Sequence, residues 1–363
     1  MTPGSLTSSE QISTSLKGAV AWRIDYTSED ANGTAHEVTG LVIAPDKPGT
    51  DRSIASWCHG TTGIGDAACP SAQPDPAREL VTYFSTEATQ QIDYGIPGLQ
   101  RLIDSDRVVV ATDYQGLGSA GMHQYSVNRT NARDSVFIAH AARSLDVGAG
   151  TQLLSFGWSQ GGGASAAVAE LDDADFGDLN LLGCALLSPG VTGIALTNPV
   201  GMGAALADPT LPPDSHLVMT IAGHAAGFPD DMDLTKLLTP LGVKIVNAIA
   251  DTQPVHHMND TLGRLFKLEG AILDLQPEGM EQFKAAVVKS TAGAHKPRCP
   301  ILMCVDSFDD GLVIPVAWQT AYAEAATKLG GTVETADFPK DDHFSLPASC
   351  IDRVQTWFDG LLN

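Results

Sequence analysis

Residues 153–167, Leu-Leu-Ser-Phe-Gly-Trp-Ser-Gln-Gly-Gly-Gly-Ala-Ser-Ala-Ala, restrict the fold more than any other stretch of the chain. A short apolar run of strand character enters Gly157-Trp158-Ser159-Gln160-Gly161, and the Ala-rich run that follows forms regular structure only as a helix. Gly-x-Ser-x-Gly between a strand and a helix is the pattern of a nucleophile elbow, in which the serine sits on a tight turn and its hydroxyl projects from the sheet edge. The backbone N–H groups just after it gather at the helix N-terminus. Glycine is needed on both sides because a Cβ there would collide with the neighbouring strand and helix backbone. The five residues alone also describe a Gly-rich loop, so the flanking strand and helix are what make Ser159 a candidate nucleophile.

The rest of the chain supplies a frame for such a turn. Apolar strand-like runs at residues 53–58, 108–113, 152–158, 181–187 and 301–305 alternate with helical patterns at 97–103, 129–146 and 316–329. That rhythm predicts a mostly parallel sheet covered by helices on both faces. Residues 19–26 and 38–44, separated by Asp30-Ala31-Asn32-Gly33, predict an antiparallel entry hairpin. Helical character is weak over 78–91. A strand at 332–336 and a helix at 348–362 close the chain. Between residues 191 and 298 the rhythm breaks, with helical patterns at 234–250, 258–275 and 279–291 and no strand. We expect this segment to be an inserted helical cap, with residues 1–190 and 299–363 forming the core.

Composition narrows the partners. The 363 residues, 43% hydrophobic, are enough to bury a sizeable core. Asp and Glu number 43 against 21 Lys and Arg, for a net charge of −22, which argues against nucleic acid or an anionic membrane surface. No apolar run has the length of a membrane span. The first residues lack a basic n-region and an apolar h-region, so the expectation is a chain made without a signal peptide or a mature exported form. Six cysteines have no metal-ligand spacing. Cys184 and Cys304 fall in apolar strands as buried thiols, whereas Cys58 with Cys69, or Cys299 with Cys350, would be bridged in an oxidising compartment.

A serine hydroxyl needs a general base, and the base needs a group to orient it. In chain order the expected succession is Ser, acid, His. His343, in the loop between the last strand and the last helix, stands where the base belongs. His216, His224, His256, His257 and His295 fall in the cap and precede the acid. The loop after residues 301–305, Asp306-Ser307-Phe308-Asp309-Asp310-Gly311, offers three carboxylates. Asp310 is favoured over Asp309, and Asp306 ranks last because it lies so near the strand end. For an oxyanion the backbone N–H of Gln160 is one expected donor, and the second comes from His59-Gly60-Thr61-Thr62-Gly63, with Thr61 preferred over Thr62. His59 is read as a brace for that loop. Asp113, at the end of its strand, is read as structural, accepting N–H bonds of its own turn rather than contacting substrate.

His59-Gly60-Thr61-Thr62-Gly63, then Asp113-Tyr114-x-Gly116-Leu117-Gly118, then Gly157-x-Ser159-Gln160-Gly161-Gly162, with a long helical insert before the acid, resemble the secretory lipase family of the α/β-hydrolase superfamily. The resemblance implies an α/β-hydrolase fold with a helical lid and a carboxylic-ester hydrolase working through a Ser-Asp-His triad and an acyl-enzyme. It implies a small-molecule ester substrate and no metal or organic cofactor. An acyltransferase or amidase with the same triad, or a catalytically silent ligand-binding relative, are the alternatives. Which ester is taken is set by the shape of the cap and pocket.

Overall fold

The computed structural model describes residues 2–198, 206, 212–311 and 313–362. Nine strands form one sheet: β1 (Leu6–Ile12), β2 (Ala19–Glu29), β3 (Ala35–Pro45), β4 (Arg52–Cys58), β5 (Val108–Thr112), β6 (Ala149–Trp158), β7 (Asn180–Leu187), β8 (Ile301–Asp306) and β9 (Val333–Phe338). Their order is β1-β2-β3-β5-β4-β6-β7-β8-β9. The first three pairings are antiparallel, and every pairing from β5 onward is parallel. The expected hairpin is β2 and β3, whose turn is closed by Asp30 Oδ1 accepting the N–H groups of Asn32 and Thr34, each at 2.8 Å. β1, polar and exposed along most of its length, was not expected from the sequence.

The central strands are apolar on both faces because both faces are covered. In β5, Val108 and Val110 join one hydrophobic layer while Val109 and Ala111 join the other, as the two-residue period of a strand requires. The first layer is closed by α2 (Asn128–Ala142), α3 (Gln160–Val168) and α10 (Val316–Lys328). The second is closed by α1 (Leu99–Asp104) and α11 (Leu346–Leu362), which inserts Ile351, Val354 and Phe358. Each such large side chain taken fully out of water contributes roughly 1.5–3 kcal/mol. The short helix α4 (Asp173–Phe176) precedes β7. Residues 78–91 hold no helix.

Between β7 and β8 the described residues contain no strand of the sheet. They form α5 (Thr192–Thr197), α6 (Ser215–Gly227), α7 (Pro240–Ile249), α8 (Val255–Glu269) and α9 (Pro277–Ser290). The amphipathic patterns read in the sequence fall on the last three, and α6 went unanticipated. These helices build a third apolar cluster of their own, which reaches the core through Ile64, Tyr125 and Val127. Parts of this segment, residues 199–205 and 207–211, lie outside the described residues. No described helix is long and apolar enough to cross a membrane. All six cysteines are buried free thiols, so neither Cys58–Cys69 nor Cys299–Cys350 is bridged; the sulfur nearest Cys299 is that of Cys184, at 3.7 Å.

Candidate active site

Ser159 joins β6 to α3 with φ +58° and ψ −118°, a backbone conformation that L-residues adopt only under constraint. The constraint is local crowding. A Cβ on Gly161 would stand 1.9 Å from the Cys58 carbonyl oxygen, so β4 and α3 approach closely only with glycine there. Ser159 is tied into the sheet by its N–H, which donates to the Leu187 carbonyl at 3.0 Å, and its own carbonyl accepts the Gly190 N–H at 2.8 Å. Gln160 is the first residue of α3, so its N–H has no acceptor within the helix and points out of the helix N-terminus.

The loop after β4 lies against this turn. Gly60 packs so tightly on Trp158 that a Cβ would sit 2.7 Å from the indole ring. Beyond it, the N–H groups of Thr61 and Thr62 find no acceptor among the described residues. The Thr61 hydroxyl is paired with Tyr125 Oη at 2.7 Å, and Tyr125 lines the same cavity as Ser159. His59 is buried with Nδ1 2.6 Å from the Gly60 carbonyl oxygen and Nε2 3.2 Å from that of Asp113. Burial pulls its pKa below the ordinary histidine value, outweighing the neighbouring carbonyls and the Asp113 charge. Asp113 accepts from Ser71 N–H at 2.8 Å and from the Thr39 hydroxyl at 2.7 Å. Its hydrogen bonding is structural, as expected, but the partners come from two other segments rather than from its own turn.

His343 lies in the loop between β9 and α11. Asp342 Oδ1 accepts the N–H groups of Phe344 and Ser345 at 3.0 and 2.8 Å, fixing the turn around it. The His343 carbonyl accepts the Trp158 Nε1–H at 2.9 Å, tying this loop to the residue before Ser159. The imidazole is 4% exposed. Its Nδ1 is 3.4 Å from Asp306 Oδ2 and 3.0 Å from Ser188 Oγ, while Nε2 makes no hydrogen bond among the described residues.

The carboxylate beside His343 is therefore Asp306, not the Asp310 or Asp309 favoured from the sequence. Asp306 is the last residue of β8 and is paired in register with Phe338, the last residue of β9, so the strand end itself faces the His343 loop. Its side chain is fully buried, and Oδ1 accepts from Gln319 Nε2 at 2.7 Å. Asp310 closes a 3₁₀ turn (Phe308–Asp310) with φ +61° and is exposed. Asp309 occupies the same turn, and its side chain lies outside the described residues.

A cavity of about 420 Å³ opens at Ser159 and Gln160. Its apolar wall comes from Ala195, Leu217, Val313, Ile314 and Trp318, and its polar wall from Tyr125, Thr192, Thr220, Asp214 and His216. His216 Nδ1 is 3.1 Å from Asp214 Oδ1. Burial opposes charge on His216, but the bond to Asp214 prevails and raises its pKa. The bond to His216 likewise overrides burial to bring Asp214 down to about 2.

One buried histidine escaped the sequence reading. His123 Nδ1–H donates to the Gln115 carbonyl at 2.7 Å, which leaves Nε2 to accept from the Gln160 carboxamide at 2.8 Å. Burial lowers its pKa to about 4, so it is neutral and suited to that role. It thus anchors the side chain of Gln160, the residue that follows Ser159. The signal available was faint: a histidine a few residues beyond Gly116-Leu117-Gly118. Among the described residues no group of three or more His, Cys, Asp or Glu side chains is arranged to hold a metal ion.

Residues 82–199, which include Asp113 and the whole elbow, match the family model of the secretory lipases. No curated protein matches the sequence significantly. Among solved structures, the rice cell wall degrading esterase LipA from Xanthomonas oryzae is similar with TM-score 0.73 and 16% identity, over 98% of this chain and 100% of that one. Candida antarctica lipase A in its closed state is similar with TM-score 0.68 and 13% identity, over 99% of this chain and 83% of that one. The sheet order and its flanking helices are those of the α/β-hydrolase fold, and the resemblance to the secretory lipases read from the motifs is borne out. The family match supports a carboxylesterase- or lipase-type hydrolase, and the solved structures show the fold.

Proposed function

We propose that this chain hydrolyses carboxylic esters through Ser159, His343 and Asp306. Ser159 Oγ attacks the ester carbonyl, and His343 Nε2 takes the hydroxyl proton as the new C–O bond forms. The oxyanion is held by the backbone N–H groups of Gln160 and Thr61. The imidazolium, stabilised by the Asp306 carboxylate, returns the proton to the leaving alcohol, and an acyl group remains on Ser159. Water, activated by His343, then releases the acid. The observation that carries this reading is the strained serine at the head of α3, opening onto a cavity on a glycine-crowded turn.

The cavity supports a small ester with an apolar acyl or alcohol group, since its apolar side is formed by Leu217, Ile314 and Trp318. Thr192, Ala195, Leu217 and Thr220 reach it from α5 and α6, which supports residues 191–298 acting as a cap over the site. The test is turnover of a p-nitrophenyl ester chain-length series by wild type and Ser159→Ala. A loss of at least about 10⁴-fold in kcat/KM is expected for the variant. Equal turnover by the two would sink the proposal.

A further inference from the structure

We propose that Ser188 is a positioning residue for His343, holding the Nδ1–H that Asp306 approaches but does not align with. The inference rests on His343 being the base of the ester hydrolysis proposed above.

The geometry around Nδ1 is unequal. Ser188 Oγ is 3.0 Å away in hydrogen-bonding geometry, whereas Asp306 Oδ2 is 3.4 Å away and, though buried, makes no hydrogen bond among the described residues. Asp306 supplies charge, and Ser188 supplies direction. The acceptor-only Asp306 carboxylate beside Nδ1 favours the tautomer with Nδ1–H, which donates to the Ser188 hydroxyl and leaves Nε2 its lone pair for the nucleophile's proton.

The position of Ser188 is itself constrained. It follows the last residue of β7, is fully buried, and donates its N–H to the Cys304 carbonyl of β8 at 2.9 Å. Two residues on, Gly190 N–H donates to the carbonyl of Ser159 at 2.8 Å. One corner of chain therefore touches both the nucleophile's backbone and the base's ring. Ser188 holds φ +45°, where glycine would sit without strain and a serine does not. A hydroxyl is kept at a position whose backbone alone favours no side chain.

The charged groups that face the ring are Asp306 from β8 and Asp342 from its own loop, and Asp342 spends Oδ1 on the Phe344 and Ser345 N–H groups. Trp158 and Phe344 cover the remaining faces, with ring centroids 5.1 and 5.6 Å from the imidazole. When Nε2 gains the Ser159 proton, the Nδ1–H bond becomes charge-assisted and strengthens. Ser188 thereby favours the imidazolium of the transition state. It does not line the substrate cavity, so substrate binding is left alone.

The experiment compares Ser188→Ala and Ser188→Gly, both lacking the hydroxyl but differing in tolerance of positive φ. Both are expected to lose about tenfold in kcat at unchanged KM. In both, the acid limb of the kcat/KM profile moves to lower pH, because an acceptor that favours the imidazolium is gone. The downfield Nδ1–H proton of His343, followed by NMR, shifts in both. Thermal stability separates them, with Ser188→Gly the more stable. The proposal is overturned if Ser188→Gly matches wild type in kcat, acid limb and proton signal, whatever Ser188→Ala does, since the residue then serves only the backbone. Persistent turnover by Ser159→Ala would instead fell the hydrolase reading, and the Nδ1–H signal would still decide whether Ser188 holds the ring.

Discussion

On one side of Ser159, His123 has both ring nitrogens engaged and His59 is held between two carbonyl oxygens, its one N–H given to either, and both are depressed in pKa by burial; on the other, His343 has Nδ1 set between Ser188 and Asp306 and Nε2 unpaired among the described residues. Three buried imidazoles lie around one turn with opposite assignments. A buried histidine with no charge and no nitrogen open to a ligand is a bracket, and a histidine with one orienting acceptor and one free nitrogen is equipped to move a proton. Burial alone does not separate scaffold from chemistry. The completeness of the hydrogen bonding does.

The sharpest test of that contrast removes the charge behind His343. Asp306→Asn keeps the shape and deprives the imidazolium of its counter-charge, so kcat is expected to fall by about 10³- to 10⁴-fold, while exposed Asp310→Asn stays within about twofold of wild type. Ester turnover measured for the two variants side by side decides it, and the reverse ranking would return the acid to the 3₁₀ turn.

Next in size is the turn on which both sides depend. Gly161→Ala would drive a Cβ to 1.9 Å from backbone oxygen, which cannot swing aside, and a loss of about 3 kcal/mol or more is expected. Urea unfolding measures it, and a loss under 1 kcal/mol would mean that β4 and α3 yield more readily than the packing implies.

On the bracket side, His123→Ala leaves a cavity and an unpaired Gln160 carboxamide, at an expected cost of roughly 2–4 kcal/mol in stability. Activity should fall far less than in Asp306→Asn, by about tenfold, because the loss reaches the reaction only through the placement of Gln160. If His123→Ala were as inactive as Asp306→Asn while folded, the division between brackets and proton carriers would fail.

The smallest effect concerns a histidine away from the site. His36 Nε2 is 2.9 Å from Asp134 Oδ1, and although burial opposes its charge, the Asp134 carboxylate prevails and raises its pKa. A raised value in the folded state means that the contribution is fully present below the ordinary histidine pKa and is lost as pH rises through the raised one. Wild type should therefore exceed His36→Gln in unfolding free energy by more at pH 5.5 than at pH 9, a difference on the order of 1 kcal/mol that urea unfolding at the two pH values reads. An equal gap at both pH values would make His36 another neutral bracket.

Much of this was readable from short stretches. The sheet rhythm, the entry hairpin and the elbow rest on apolar periodicity and on glycines required by close approach, both properties of neighbouring residues. His343 was readable from its place between the last strand and helix. The carboxylate that stands beside His343 is the one ranked last for lying so near the strand end. The parallel register, which no local pattern shows, sets Asp306 beside Phe338 and leaves Asp310 exposed on a 3₁₀ turn. The helix α6, rich in small and apolar residues and buried along most of its length, lacked the one-sided pattern by which the other cap helices were recognised.

The sequence by itself determined the candidate serine, the strand-to-helix turn that presents it and the alternation of layers around it, because each depends on contacts within a few residues and on periods of 2 and 3.6. Only the tertiary structure decided which carboxylate, which hydroxyl and which second histidine complete the site. Asp306, Ser188 and His123 meet their partners across separations of 37, 155 and 37 residues. Such encounters follow from strand order and register, which no local pattern encodes.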